Sequence, residues 1–226
     1  MNTQREQLIQ TWLEAVLKSD QFEINFLAGD ASFRRYARVG LQNKTYMLMD
    51  APPEKEDCVP FVMIDEFFDA NGVRVPHIVA KDLEQGLLLL EDFGDVVLST
   101  LLNDKTVDQY YVQSFKQLIE LQQIDGKSHL PAYSYEKLMT EMRLLTEWML
   151  PSLNIQPTEQ QLETIEQAFD FLAIEATNQP QVIVHRDFHS RNLMKIENEQ
   201  ELGVIDFQDA VIGADTYDLI SITRDA

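Results

Sequence analysis

A chain of 226 residues, 45% hydrophobic and 25% charged, is long enough to bury a substantial core and has an ordinary globular composition. Its formal net charge of −20 argues against binding a nucleic-acid backbone, which needs clustered Lys and Arg. Cys58 is the single cysteine, so no intrachain disulfide can form. There is no apolar run of membrane-spanning length and no signal-peptide core near Gln4, Arg5 and Glu6. A cytoplasmic protein is expected, with no nucleic-acid or membrane partner. The oligomeric state is not encoded in any pattern.

Leu8, Ile9, Trp12, Leu13, Val16 and Leu17 recur at helical spacing and predict an amphipathic opening helix. The small-residue stretch Gly29-Asp30-Ala31-Ser32 follows, then Phe33-Arg34-Arg35-Tyr36 and the β-rich runs to Val39 and from Thr45 to Met49. Two strands flanking a turn and preceded by small residues suit a nucleotide flap, where backbone N–H groups approach phosphates. Pro52 and Pro53 stiffen the next loop, and Val59 to Ala70 predicts a helix stopped at Asn71-Gly72. Val73 to Ala80 reads as an edge strand around Pro76, and Leu87 to Leu90 as a buried strand ending in the polar turn Glu91 to Asp95.

Beyond Val97 the pattern is mostly helical, with long helices expected over Tyr135 to Leu150 and Thr158 to Thr177. Trp148 and the methionines at 139, 142 and 149 are expected in the core. Val182 to Val184 predicts a buried strand. It runs into the polar loop His185-Arg186-Asp187-Phe188-His189-Ser190-Arg191-Asn192. Leu193-Met194, a turn at 197–201 and the run Leu202 to Ile205 then lead to Asp206-Phe207. Two strands joined by that turn are expected to bring Asn192 and Asp206 together beside Asp187. One carboxylate to accept a hydroxyl proton and two oxygen ligands for magnesium are what phosphoryl transfer needs. The spacing of His185 and His189 suits zinc only on a helix, and this segment reads as a loop, so both are taken as loop-bracing residues.

The order His-Arg-Asp, four residues, Asn, then a downstream Asp-Phe, resembles the catalytic loop and metal-binding segment of protein kinases, with Gln208 in place of the glycine. The form HRDFHSRN resembles the aminoglycoside phosphotransferase and choline kinase family, kinase-like enzymes that phosphorylate small molecules. The resemblance implies an α+β, two-lobed protein-kinase-like fold. Its parts would be an N-terminal β-sheet lobe over 1–90, a hinge at 91–95 and a mainly helical C-terminal lobe over 96–226. It further implies that the family's last helical segment is missing. Asp187 would be the base, and Asn192 and Asp206 the Mg2+ ligands. Gly29, Asp30, Ala31, Ser32, Phe33 and Arg34 would form the ATP flap, and backbone groups around Glu91 and Phe93 would meet adenine. Asp218 would brace the catalytic loop.

The segments Gly29 to Tyr36, Met49 to Glu54, Leu89 to Asp95 and His185 to Asn192 resemble the branch of the family that phosphorylates the anomeric hydroxyl of N-acetylated amino sugars in cell-wall recycling. The acceptor is therefore expected to be a small sugar, with an aminoglycoside or an amino-alcohol such as choline as alternatives. A non-catalytic, pseudokinase-like nucleotide-binding module is the alternative from another class. One departure favours that rival. Kinases carry a lysine on the third strand, and Tyr46-Met47-Leu48-Met49-Asp50 has none. Arg34 or Arg35 is the expected substitute, and Glu66 is the candidate acid on the helix behind it.

Overall fold

The computed structural model describes residues 3–28 and 33–225. In chain order the elements are α1 (Thr3–Leu17), β1 (Glu23–Phe26), β2 (Arg35–Leu41), β3 (Lys44–Asp50), α2 (Val59–Ala70), β4 (Ile78–Asp82) and β5 (Leu87–Glu91). A 3-10 turn at Leu98–Thr100 leads to α3 (Val107–Gln122) and α4 (Tyr135–Leu144). A π-helical turn at Leu145–Met149 and the short α5 (Leu150–Ser152) come next. The chain continues through α6 (Glu159–Asn178), β6 (Gln181–Val184), β7 (Leu193–Lys195), β8 (Leu202–Val204), β9 (Val211–Ala214) and α7 (Tyr217–Thr223). Packing divides the chain into one unit of Met1–Leu101 with Leu193–Gln208, and another of Leu102–Asn192 with Asp209–Ala226.

In the first unit, β1 to β5 form an antiparallel sheet in the order β1-β2-β3-β5-β4. Period-two alternation turns Ala37 and Val39 of β2 to one face, where they meet Leu48, Leu87 and Leu89. Ile9 and Leu13, one helical turn apart on α1, cover that face. Both faces of β5 are buried, which explains its unbroken leucine run. β4 is an edge strand as expected, but it starts at Ile78 rather than Val73. The Val73 amide turns back to the carbonyl of Phe68, and Pro76 has no amide to offer a ladder.

The β7–β8 hairpin packs with this unit. Phe93 joins Met194 and Ile196 in one cluster, Val97 bridges to Met194, and the Lys195 amide donates to the Val96 carbonyl at 2.8 Å. The expected boundaries kept 96–226 in one piece, whereas packing assigns 193–208 to the sheet unit. The cause is that a two-stranded hairpin cannot bury its own apolar face and takes Phe93 as its cover. Gly203 faces the Phe93 ring so closely that an added Cβ would lie 2.3 Å from it.

The second unit is mainly helical. Thr158 caps α6 through a reciprocal capping box with Gln161. Met139 of α4 packs on Phe169 and Ala173 of α6. Trp148 and Met149, expected in the core, are instead 72% and 54% exposed. They lie on the π-helical turn, whose extra residue per turn rotates the side chains that follow off the buried stripe. Strands β6 and β9 pair antiparallel. Among the described residues no helix is long and apolar enough to cross a membrane.

Gly86, in the turn before β5, has φ +64°, and an added Cβ would lie 1.9 Å from the Ala51 carbonyl oxygen. Gly40, on β2, has no atom within 4 Å of that position. Gly86→Ala is expected to cost at least about 2 kcal/mol from left-handed backbone and overpacking together. Gly40→Ala should stay within about 0.5 kcal/mol of the parent. Urea denaturation of the two variants measures the difference.

Candidate active site

The loop after β6 is built around one buried carboxylate. Asp218, near the start of α7, accepts the His185 amide at 2.6 Å and the Arg186 amide at 3.0 Å. Burial pushes its carboxyl up to about 7, opposed by those two amides. The turn forces Arg186 to φ +80°, a conformation uncommon for a residue with a Cβ. That strain is held from the side-chain end as well. The Arg186 guanidinium donates to Glu141 at 2.8 Å and lies over the Tyr133 ring at 5.3 Å.

His185 is fully buried, and its Nδ1 accepts the Asp187 amide at 3.3 Å, so it braces the loop as expected. Asp187 itself is exposed. The Asn192 side-chain amide donates to the Asp187 carbonyl at 3.0 Å, so Asp187 and Asn192 are brought together in the second unit. With its nitrogen committed to backbone, the Asn192 side chain has its oxygen as the atom able to ligate a cation.

Asp206 belongs to the first unit and also has a left-handed backbone, φ +65°. Phe207 anchors it, packing its ring against Phe61 at 5.0 Å and Phe68 at 5.8 Å, both on α2. The neighbouring charges come from the start of β2. Burial raises the Tyr36 hydroxyl pKa. Arg34, through charge and a hydrogen bond, pulls it back, and the Asp206 charge adds to the rise. Arg34 in turn donates Nε and Nη2 to one oxygen of Glu56, at 2.9 and 2.7 Å.

Other expected residues are placed as follows. Gly29, Asp30, Ala31 and Ser32 lie outside the described residues. Phe33 is 63% exposed, with the Lys55 ammonium 5.7 Å from its ring centre. The Glu91 amide donates to the His77 carbonyl and its carboxylate is gripped by Arg74, which holds it below the usual carboxylate range. Phe93 is buried beneath the same arginine, 4.6 Å from ring centre to guanidinium. Arg35 is engaged by a buried acid. It and Arg5 of α1 both bind Asp50, the fully buried last residue of β3. Glu66 is exposed and paired with Lys81. Its neighbour Asp65 is the buried acid of α2, with Oδ2 lacking any partner.

The roles of three residues in this arrangement escaped the sequence reading: Asp50, Glu56 and Tyr36. Asp50 could have been noticed as a lone charge closing an otherwise apolar strand; Glu56 and Tyr36 carry no such signal.

Among the described residues no cluster of three His, Cys, Asp or Glu side chains could hold a metal ion alone. Asp206 in the first unit offers a carboxylate and Asn192 in the second an amide oxygen, each by itself a donor type that magnesium accepts.

The phosphotransferase enzyme family model matches residues 23–226. The chain is 40% identical over 200 residues to the N-acetylmuramate/N-acetylglucosamine kinase of Pseudomonas aeruginosa, covering 88% of this chain and 59% of the relative. It is 34% identical over 229 residues to the kinase of the same name from Neisseria meningitidis, covering 99% of this chain and 67% of the relative. The chain thus spans about three-fifths of the length of the first of these relatives. Among solved structures it is similar to ADP-bound aminoglycoside phosphotransferase APH(2'')-Ib, with TM-score 0.65, 17% identity, and coverage of 97% of this chain and 75% of that one. The streptomycin–ATP–APH(2'')-IIa ternary complex matches with TM-score 0.62 and 19% identity, over 94% of this chain and 74% of that one. These likenesses establish the kinase-like α+β fold.

Asp65 generates a pH test. Burial, with the nearby charges of Asp69 and Glu66, raises its carboxyl from 3.8 to about 7. The folded state therefore holds this proton more tightly than the unfolded chain. The stability tied to it is complete below about 3.8 and is lost as pH rises through about 7. The stability of Asp65→Asn, which cannot ionise, relative to the parent should grow by about 1–3 kcal/mol between pH 5 and pH 8. Urea titrations at the two pH values measure this.

Proposed function

Because the chain belongs to the phosphotransferase enzyme family, we propose that it functions in a kinase transferring the γ-phosphoryl group of ATP to the anomeric hydroxyl of N-acetylmuramate or N-acetylglucosamine. The observation that carries this reading is the braced loop. Asp218 fixes the His185 and Arg186 amides, and Asn192 is tied to the carbonyl of Asp187. A carboxylate presented on a strained, doubly anchored turn is positioned to act on a substrate, because the geometry does not relax when the substrate arrives.

In this reading Asp187 is the base. Its carboxylate orients the acceptor hydroxyl and takes its proton as the oxygen attacks phosphorus. Asn192 and Asp206 are the magnesium ligands. Nucleotide-bound magnesium, when present, neutralises the charge on the phosphates. Residues 29–34 serve as the phosphate flap, and backbone near Glu91 and Phe93 takes adenine; since the Glu91 amide is used by His77, the donor to the base comes from a later residue. The sugar assignment rests on the relatives at 34 and 40% identity, whose names state it. An anomeric hydroxyl is more acidic than an ordinary alcohol, which eases the work of Asp187. The protein is proposed to act in the cytoplasm.

Two outcomes are expected of the full-length protein containing this chain. Incubated with ATP, magnesium and N-acetylmuramate or N-acetylglucosamine, it should give an anomeric sugar phosphate by phosphorus NMR. Phosphate on choline or an aminoglycoside, with none on either sugar, would overturn the substrate while leaving the reaction class. Asp187→Asn should lower kcat by about 10²-fold or more with nucleotide affinity retained, as expected for loss of a general base. Steady-state kinetics beside nucleotide titration separates the two effects.

A further inference from the structure

The chemistry above leaves one position unfilled. The lysine of β3 is its exposed first residue, Lys44, and Tyr46 to Asp50 offer none to the nucleotide phosphates. Glu66 is exposed on Lys81, and Asp65 is buried with one oxygen unpartnered. The other cations near β3 are occupied elsewhere. Arg5 and Arg35 are bound to Asp50, and Lys55 lies over Phe33. Lys44 begins β3 at its exposed end, opposite Leu41.

Arg34 differs from all of these. It immediately precedes β2, beyond the point where Arg35 pairs with Asp50 at the end of the β2–β3 ladder. Its side chain is only 14% exposed. Glu56 takes the Nε and Nη2 edge of the guanidinium through a single oxygen and so sets its plane. Tyr36, whose hydroxyl reaches Met49 Sδ at 3.5 Å, hydrogen-bonds the same group and lies within the field of Asp206. Glu56 is itself held. Its amide and that of Lys55 donate to the Pro52 carbonyl at 3.0 and 2.8 Å, and Asp57 caps the Val59 amide at 2.8 Å. The Pro52–Pro53 turn therefore delivers an anchored carboxylate to the arginine that hydrogen-bonds Tyr36.

We propose that Arg34, oriented by Glu56 and Tyr36, holds the nucleotide phosphates in place of a lysine missing from Tyr46 to Asp50, and that Glu56 and Tyr36 are positioning residues. This rests on the kinase reading. A guanidinium suits the role, since it carries several N–H donors in one rigid plane and binds phosphate oxygens as readily as carboxylate.

The test uses the full-length protein and titration calorimetry with magnesium AMP-PNP, AMP and adenosine, alongside kcat and thermal unfolding. Arg34→Ala should weaken AMP-PNP by about 10-fold or more, the scale of a charge-assisted contact, with adenosine unchanged. Arg34→Lys should recover most of that loss. Glu56→Gln should lower kcat by about 10-fold while AMP-PNP affinity stays within about threefold, and should add nothing to the kcat loss already present in Arg34→Ala.

Equal weakening of all three ligands with a lowered Tm would make the pair a structural staple and overturn the proposal. So would unchanged AMP-PNP binding in a folded Arg34→Ala or, should that variant not fold, in Arg34→Gln. Additive kcat losses in the double variant would remove Glu56 from its role. If the parent binds no AMP-PNP, the kinase reading fails first and this inference with it; a parent that binds, with variants that bind equally, overturns this inference alone.

Discussion

The hydrogen bonds from the His185 and Arg186 amides to the Asp218 carboxylate are the constraint on which the candidate loop depends. Two successive amides can point at one carboxylate only if the backbone between them turns sharply. That turn puts Arg186 at positive φ and leaves Asp187 facing outward. Leaving two buried amides without an acceptor would cost about as much as the strain they hold in place, so neither relaxes alone. The Arg186 side chain adds a second anchor at Glu141 and Tyr133.

The sheet unit uses buried carboxylates in the same way but with side-chain partners. Asp50 is wholly buried and tolerated because Arg5 and Arg35 both reach it, tying α1, β2 and β3 at one point. Asp65 has no such compensation and responds by holding its proton, as burial without a partner demands. Glu91 and Glu199 converge on Arg74, which also covers Phe93. Many of the acids behind the net charge of −20 are thus local staples or exposed surface, and the charge says little about what the protein binds.

Secondary structure was legible wherever one rule dominated. The leucine run of β5, the alternation in β2 and the Thr158 cap of α6 each follow from period or capping chemistry, and each stands where the pattern put it. The misplacements have equally local causes. Pro76 and the backward bond of Val73 delayed β4, and a π turn, which no periodicity announces, carried Trp148 and Met149 into solvent.

By itself the sequence determined the candidate loop, because His185, Asp187 and Asn192 lie in one short stretch whose contacts are local. It also specified that Tyr46 to Asp50, the segment where kinases carry the strand lysine, has none. Which cation and which acid fill the gap was decided only by tertiary structure. Arg34 and Arg35 are neighbours in sequence, yet Arg35 opens β2 opposite Asp50 in the ladder while Arg34 lies just before the strand and meets Glu56. Glu56 lies twenty-two residues from Arg34, and Asp50 forty-five from Arg5. Pairings at such separations are fixed by register and chain reversal, and no composition or spacing rule encodes them.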